Sequence, residues 1–326
     1  MANEKDFTEK IFIALADVFA DIINVWVYHG ETVVKPEDLI PDETISDLKL
    51  TDGLHMQERD VSKIWTKGNV RFALIGIENQ TAQDKDMPLR IISYDGASYK
   101  AQVNQHRAAE KSKDPTVKPM PVYPVVSFVL NFGMEKWTTP KTLFDCFEVD
   151  IPEKMKPYIS DYKINVINVA WLDDETVKMF KSDFRLVADY FRQIRLNNGD
   201  YNPPKETIQH VHEFLAFLNA VSGDKRYLEI LADPEFQENM KKGDITMCEV
   251  LDNVEKRGVQ KGLAEGFKKG VAVGEERGEE RGEKKGENKF ALLMNALFAA
   301  NRLKDANDAT TDEIKRNQLY REFGIQ

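Results

Sequence analysis

The amino-acid sequence predicts an α/β protein, with a mixed sheet core flanked by helices and a helical C-terminal half. Three apolar runs suggest strands: residues 70–80 (VRFALIGIENQ), 122–133 (VYPVVSFVLNFG) and 162–172 (YKINVINVAWL). The first run is almost continuously apolar and rich in β-branched residues, which is typical of a central strand covered on both faces. From about Asp174 onward the apolar spacing becomes helical, so the sheet belongs to the first half of the chain.

The N-terminal region predicts a helix over residues 7–29. Its apolar residues recur at the spacing of one helix face: Ile11, Leu15, Val18, Ile22 and Trp26. Asp17, Asp21 and Asn24 form a second, polar stripe on the same helix. The segment that follows, KPEDLIPDET, contains two prolines and predicts a loop.

A short hairpin and a crossover helix are predicted next. Residues 58–65 (ERDVSKIW) and the apolar run that starts at Val70 are joined by TKGN, which has the composition of a turn. After the break at TAQDKDMP, residues 89–107 have a helical pattern that Gly96 interrupts. The segment TLFDCFEV fits either a helix or a strand.

The second half of the chain predicts helices at residues 174–195, 205–221, 226–240 and 288–303. In the first of them the apolar residues fall on one face: Val177, Phe180, Phe184, Val187 and Phe191. The expected organisation is an α/β domain over 1–173, a helical extension over 174–250, a glycine and charge repeat over 251–289, and a helical tail over 290–326.

Composition excludes several classes of protein. The 326 residues contain no apolar run near the roughly 20 residues of a membrane span. The N-terminus lacks the pattern of a secretory signal, and Cys146 and Cys248 form no CxxC pair, so we expect a cytoplasmic protein without a structural zinc site. The formal net charge of −10 argues against indiscriminate coating of nucleic acid. Residues 88–121 are nevertheless locally basic, with six Lys or Arg against three Asp or Glu.

Two carboxylates near the predicted hairpin are the strongest candidates for a metal site. Asp60 opens one strand, and Glu78 lies near the end of the next. Glu78 and Gln80 are two residues apart, so on a strand they share a face. Hard cations such as Mg²⁺ take oxygen ligands, often only one or two carboxylates from the protein. The polar ending of the strand fits two alternatives, a cap in solvent or the lining of a site.

Four segments together resemble the Rpn-type recombination-promoting nucleases and putative transposases of the PD-(D/E)XK superfamily. They are FADIINVWVYHG, RDVSKIW, ALIGIENQT and MPLRIISYDGASY, and the resemblance covers roughly Phe7 to Arg195. It implies a restriction-endonuclease-like fold and a Mg²⁺- or Mn²⁺-dependent DNA endonuclease that hydrolyses phosphodiester bonds.

The resemblance also implies roles for single residues. Asp60 and Glu78 would ligate the metal, and the backbone carbonyl of Asn79 could add a ligand. Asp21 best matches the acid of the first helix, with Asp17 as the alternative. Four residues of the segment that follows the hairpin are candidates for DNA contact: Arg90, Tyr94, Lys100 and Arg107.

Gln80 departs from the usual pattern of the superfamily, in which lysine often holds this position. An amide offers only neutral hydrogen bonds, so it cannot stabilise a developing negative charge as a cation does. Lys63, Lys85 and Arg90 are the cations that could compensate. The alternative is therefore a catalytically inactive DNA- or protein-binding oligomer on the same fold.

Other chemistries lack their motifs. The sequence has no GxxxxGK[ST] loop, no strand-linked GxGxxG, no HExxH and no GxSxG. His210 and His212 lie two apart on a predicted helix and therefore diverge. The tryptophans are predicted to pack in the core: Trp26, Trp65, Trp137 and Trp171.

The most regular segment is RGVQKGLAEGFKKGVAVGEERGEERGEKKGE, in which every fourth residue from Gly258 to Gly286 is glycine. Eight glycines would cost a helix on the order of 8 kcal/mol relative to alanine, at ~1 kcal/mol each. The like-charge pair Glu275 and Glu279 adds repulsion one turn apart. A flexible charged linker is slightly favoured over a helix on which a partner helix packs, and the helical half could mediate homo-oligomerisation.

Overall fold

The computed structural model describes residues 11–42, 60–77, 85–138 and 140–325, and it describes only the backbone of Asp60, Gly76 and Ile77. The strands are β1 Leu39–Pro41, β2 Asp60–Trp65, β3 Val70–Ile77, β4 Val125–Asn131, β5 Asn165–Asn168, β6 Thr207–Ile208 and β7 Ile245–Thr246. The helices are α1 Ala16–Tyr28, α2 Met87–Glu110, α3 Asp174–Met179, α4 Phe184–Leu196, α5 Val211–Ser222, α6 Arg226–Leu231, α7 Pro234–Lys242, α8 Met247–Ala299, α9 Leu303–Thr311 and α10 Glu313–Glu322. The predicted α/β class with a helical C-terminal half is confirmed.

The main sheet is mixed and has the strand order β1-β2-β3-β4-β5. The pairs β1–β2 and β2–β3 are antiparallel, and the pairs β3–β4 and β4–β5 are parallel. Helix α2 connects β3 to the parallel strand β4, as a crossover connection requires. The start of β2 and the ends of β3, β4 and β5 therefore lie at one edge of the sheet.

One face of the sheet is covered by α1 and by the helical second half. Phe72 and Leu74 of β3 belong to the same buried cluster as Phe19 of α1 and Phe217 of α5. The Phe217 ring lies 5.3 Å from the ring of Phe132, which directly follows β4. Helices on either side of residue 173 thus share one apolar core, which stabilises them through burial of aromatic surface.

The opposite face of the sheet is covered by α2. Ile75 of β3 and Val129 of β4 pack with Met87 and Ile91 of this helix. Successive side chains of a strand point to opposite faces of the sheet. Because helices cover both faces of β3, both sets of its side chains are buried, which explains its continuous apolar pattern.

A buried polar network fastens α2 to the sheet. Asp95 of α2 accepts a hydrogen bond from Ser127 Oγ of β4 at 2.6 Å and another from the Tyr162 hydroxyl. Burial raises the pKa of Asp95 above its ordinary value. Burial also lowers the pKa of Arg71 on β3 to about 10, although Asp95 opposes this shift. Arg71 itself forms an ion pair with Asp42. These contacts fix the helix that contains the predicted DNA contacts.

Several local predictions are corrected by the structure. The proline-containing segment predicted as a loop includes β1, which is an edge strand, and edge strands tolerate proline because one side of the backbone needs no partner. The ambiguous segment TLFDCFEV contains one 3₁₀ turn, Phe144–Cys146. Trp26 and Trp171 are 38% and 42% exposed, so they are not core residues as predicted. Trp137 is buried, as expected.

The glycine repeat lies within α8, so the slightly favoured linker interpretation is not what the structure shows. The chain contacts divide the protein into two units, residues 1–254 and 255–326. Val250 is buried in the core of the first unit, and Leu297 is buried in the core of the second. Because nucleation is the costly step of helix formation, packed helix ends support propagation through a poor central sequence. None of the described helices combines the length and apolar character that a membrane span requires.

Candidate metal and nucleic-acid site

The start of β2 and the end of β3, which adjoin the predicted metal ligands, lie at one sheet edge. Asp60, the first residue of β2, pairs in register with Ile75, two residues before the end of β3. Glu78 follows Ile77, the last residue of that strand. Glu78, Asn79 and Gln80 lie outside the described residues, as does the side chain of Asp60. The convergence of the two carboxylates therefore stays a prediction, based on strand register.

An asparagine pair extends this edge across the two parallel strands. Asn131 ends β4 directly beside Ile77, and Asn168 ends β5 directly beside Asn131. Asn131 Nδ2 donates a hydrogen bond to Asn168 Oδ1 at 2.9 Å, and the Trp137 backbone N–H donates to the same oxygen at 2.7 Å. The amide of Asn131 also accepts a bond from Gly133 N at 3.0 Å. These bonds hold the loop after β4 against the edge where the metal site is predicted.

Asp21, predicted as the helical acid of the site, holds a distant loop in place. Its Oδ2 accepts hydrogen bonds from Lys181 N at 2.8 Å, from Ser182 N at 2.7 Å and from Ser182 Oγ at 2.7 Å. Asp17, the alternative, places Oδ2 2.9 Å from His210 Nε2. Both acids therefore have a structural explanation, because they tie α1 to the helical half of the first unit. A metal role for either acid remains a prediction.

The pH dependence of folding tests the structural role of Asp21. Burial raises the pKa of this carboxyl above its ordinary value, although the bonds from Ser182 and Lys181 oppose the shift. An acid with a raised folded-state pKa contributes most stability below its unfolded pKa, and this contribution is lost as pH rises through the folded pKa. We therefore expect the stability of the wild type relative to Asp21→Asn to fall as the pH rises above about 4, the ordinary pKa of an aspartic acid.

Urea unfolding of both proteins at several pH values measures this difference. Asp145→Asn is the opposite control, because backbone bonds from Lys141 and Thr142 lower the pKa of Asp145. The stability of the wild type relative to that variant should be lost as pH falls. A difference between the wild type and Asp21→Asn that grows with pH would contradict the burial argument.

The predicted DNA contacts all lie on α2 but differ in exposure. Lys100 and Arg107 are exposed and lie seven residues apart, two turns along one side of the helix. Tyr94 is half-buried and packs against the Ile75 cluster, and Arg90 is half-buried in the first turn. Lys100 and Arg107 are therefore the two of the four that face solvent.

The three cations that could replace the missing lysine lie in different surroundings. The Lys63 Nζ is buried 5.8 Å from the centroid of the Phe19 ring, and burial lowers its pKa. Lys63 therefore interacts with α1 on the face opposite α2. Lys85 is exposed just before α2, and Arg90 lies within that helix. Within the described ranges no three His, Cys, Asp or Glu residues cluster as a metal site would.

A cationic and aromatic stack at the same edge was missed by the sequence analysis. Arg195 and Lys136 both lie close to the ring of Trp171, which follows β5 by three residues. Trp171 was predicted to be a core residue from its residue type alone. A usable signal was present, because loops that follow parallel strands meet at the carboxyl edge of the sheet, where ligands of open α/β sheets bind.

Comparison with known protein families gives a match. The family "Putative transposase, YhgA-like" matches residues 54–222, which is just over half of the chain. The match starts before β2 and ends with α5, so it includes the hairpin, the carboxyl edge and Trp171. Neither the curated proteins nor the solved structures gave a significant match. The chain belongs to the YhgA-like putative transposase family, within the PD-(D/E)XK Rpn-like family, as the sequence motifs had predicted.

Proposed function

We propose that this protein is a metal-dependent DNA endonuclease that hydrolyses phosphodiester bonds. The observation that supports the proposal best is the register of the hairpin, which brings the start of β2 to the end of β3 in a member of this family. Asp60 opens one of these neighbouring strands, and residues 78–80 follow the last residue of the other in the sequence. This is where two carboxylates from separate strands could hold one ion.

The donor set fits Mg²⁺ or Mn²⁺. Asp60 and Glu78 offer carboxylate oxygens, and the carbonyl of Asn79 offers a third hard donor. A bound divalent ion lowers the pKa of a coordinated water and offsets negative charge on the phosphate. Gln80 would contribute a neutral hydrogen bond to the reacting groups, and cationic side chains would bind the strand on either side.

The substrate contacts that we propose on α2 are electrostatic. Lys100 and Arg107 face solvent, and the segment after the helix adds the exposed residues Lys111, Lys113 and Lys118. Cations of this kind bind the phosphate backbone and do not read base sequence. The proposal therefore predicts DNA binding that weakens steeply with salt.

Cleavage of supercoiled plasmid DNA tests the proposed activity. The purified full-length protein should nick or linearise the plasmid with Mg²⁺ or Mn²⁺ and should leave it intact with EDTA. Absence of cleavage with either ion, on single-stranded as well as duplex DNA, would reject the endonuclease assignment.

A second candidate function, assembly through α8, is favoured by the surface of this helix. Apolar side chains recur every four residues and are exposed to 56%, 69%, 76% and 43%: Val259, Leu263, Phe267 and Val271. Residues 256–269 contain five basic residues against one acidic residue, and residues 275–283 contain five acidic residues against two basic ones. A second copy packed antiparallel would place the basic half of one helix beside the acidic half of the other. A parallel pair in register would oppose like charges.

Charge exchange tests this assembly in the full-length protein. We expect the wild type to sediment as a dimer. The double variants Lys268→Glu/Lys269→Glu and Glu275→Lys/Glu276→Lys should each dissociate at least severalfold more readily, because each places like charges opposite one another across the antiparallel pair. The protein with all four substitutions should dimerise like the wild type. A monomeric wild type, or a fourfold variant that remains weakened, would contradict the antiparallel arrangement.

A further inference from the structure

The stack at the carboxyl edge is built around Arg195 of α4. Its Nε donates a hydrogen bond to the carbonyl oxygen of Ala170 at 2.7 Å. Its Cζ lies 4.1 Å from the centroid of the Trp171 ring, a distance typical of a close cation–π contact. The guanidinium is therefore fixed by two contacts, and among the described residues its terminal nitrogens have no hydrogen-bond partner.

Trp171 is itself held in place while its ring remains accessible. The indole Nε1 donates a hydrogen bond to the carbonyl oxygen of Met134 at 3.0 Å, and the side chain is 42% exposed. Lys136, which is exposed, places Nζ 5.8 Å from the same ring. Two cations from separate segments thus converge on one exposed aromatic side chain.

This stack lies beside the predicted metal site. Trp171 follows Asn168, the end of β5, and Lys136 lies in the loop that the asparagine pair fastens to β4. Since β5 is two strands away from β3, the strand ends are separated by about 10 Å, at roughly 4.8 Å per strand. A DNA strand that passes the end of β3 can reach the stack within a few nucleotides.

The charges of the stack are suited to phosphate. Across the described ranges no carboxylate forms an ion pair with Arg195. Arg192 on the same helix is paired, because its Nη1 lies 3.7 Å from Asp174 Oδ1. A stacked guanidinium loses little further freedom on binding and can donate two parallel hydrogen bonds to phosphate oxygens. An isolated surface cation would have to be ordered first.

We propose that Lys136, Trp171 and Arg195 form a phosphate-binding subsite for the DNA strand that enters the nuclease site. Arg195 binds one phosphate through its terminal nitrogens, Lys136 binds a neighbouring one, and Trp171 holds both cations at the edge. This inference rests on the proposed DNA substrate and adds a second contact surface, separate from Lys100 and Arg107 on α2.

Salt-dependent binding tests the subsite. Full-length protein is titrated against a fluorescein-labelled duplex or single strand in Ca²⁺ at several KCl concentrations, with fluorescence anisotropy as the readout. Arg195→Gln should bind duplex about tenfold more weakly at low salt and lower the slope of log K against log salt by about 0.9, the loss of one phosphate contact. Lys136→Gln should act in the same direction, and the double variant should lower the slope further.

Matched variants separate this role from a structural one. Arg192→Gln removes a cation of the same helix that is already paired with Asp174, and it should leave the slope unchanged. Arg195→Lys keeps the charge and should retain most of the slope. If Arg195→Gln melts far below the wild type, the exposed Lys136→Gln decides the question.

The results for binding and for cleavage are independent. If the wild type cleaves DNA but Arg195→Gln and Lys136→Gln bind like Arg192→Gln, the subsite is wrong and the endonuclease assignment stands. If the wild type binds without cleaving and these variants lower the slope, the subsite stands and the endonuclease assignment fails. A wild type that binds neither duplex nor single strand overturns both.

Discussion

Asp60→Ala and Glu78→Ala should each lower the rate of metal-dependent DNA cleavage more than about 100-fold. Substitution of residues that only support the metal ligands typically costs about 10–100-fold in metal affinity or activity. Asp60 and Glu78 are the proposed ligands themselves, so a larger loss is expected. Each variant removes one of the two carboxylates that we propose hold the ion at the sheet edge. The measurement is the initial rate of plasmid nicking in Mg²⁺ and in Mn²⁺.

DNA binding in Ca²⁺ provides the internal control, because the proposed phosphate contacts lie on other residues. Both variants should bind labelled duplex with nearly the salt slope of the wild type. Glu153→Ala removes an exposed acid and should leave the cleavage rate unchanged. Equal nicking by the wild type, Asp60→Ala and Glu78→Ala would indicate a contaminating nuclease and would contradict the catalytic assignment.

Phe217→Ala should destabilise the first unit by about 3–5 kcal/mol, because it empties a site at the centre of the core. The Phe217 side chain is fully buried, and its ring lies 4.9 Å from Phe12 and 5.3 Å from Phe132. For a unit of this size the expected fall in melting temperature is roughly 6–20 °C. Differential scanning calorimetry of the full-length protein measures this shift.

Leu228→Ala is a suitable comparison because the leucine is 43% exposed. It should shift the melting temperature far less. A Phe217→Ala protein that melts with the wild type would mean that α5 does not share the core of the sheet. The helical segment after residue 173 would then be an independent element.

The sequence predicted those parts of the fold in which burial is continuous. β3 is covered by α1 on one face and by α2 on the other, so residues such as Leu74 and Ile75 are both apolar and the strand is recognisable without an alignment. β1 could not be recognised, because an edge strand of three residues needs little apolar surface and tolerates Pro41. The helical conformation of the glycine repeat could not be predicted either, because packing at the ends of α8 outweighs the low helix propensity of the repeat.

The candidate site, like the fold, could be predicted only in part from the sequence. Strand order and the hairpin predicted Asp60 and Glu78 near one edge. The register of β2 pairs Asp60 with Ile75, and the position of Glu78 stays a prediction because it lies outside the described residues. The contacts of Asp21 with Lys181 and Ser182 could not be foreseen, because they join residues far apart in the sequence. Trp171 was predicted as core because tryptophan usually is, whereas its partner Arg195 lies on a different element.

The acidic residues of α1 also constrain the order in which the protein can fold during synthesis. Asp21 binds backbone groups 160 and 161 residues later in the chain, and Asp17 binds a side chain 193 residues later. At translation rates of about 5–20 residues per second, α1 waits roughly 8–32 s for the first of these partners. Helix α1 therefore completes these contacts late in synthesis, and its apolar face must be shielded from other chains until the helical extension emerges from the ribosome.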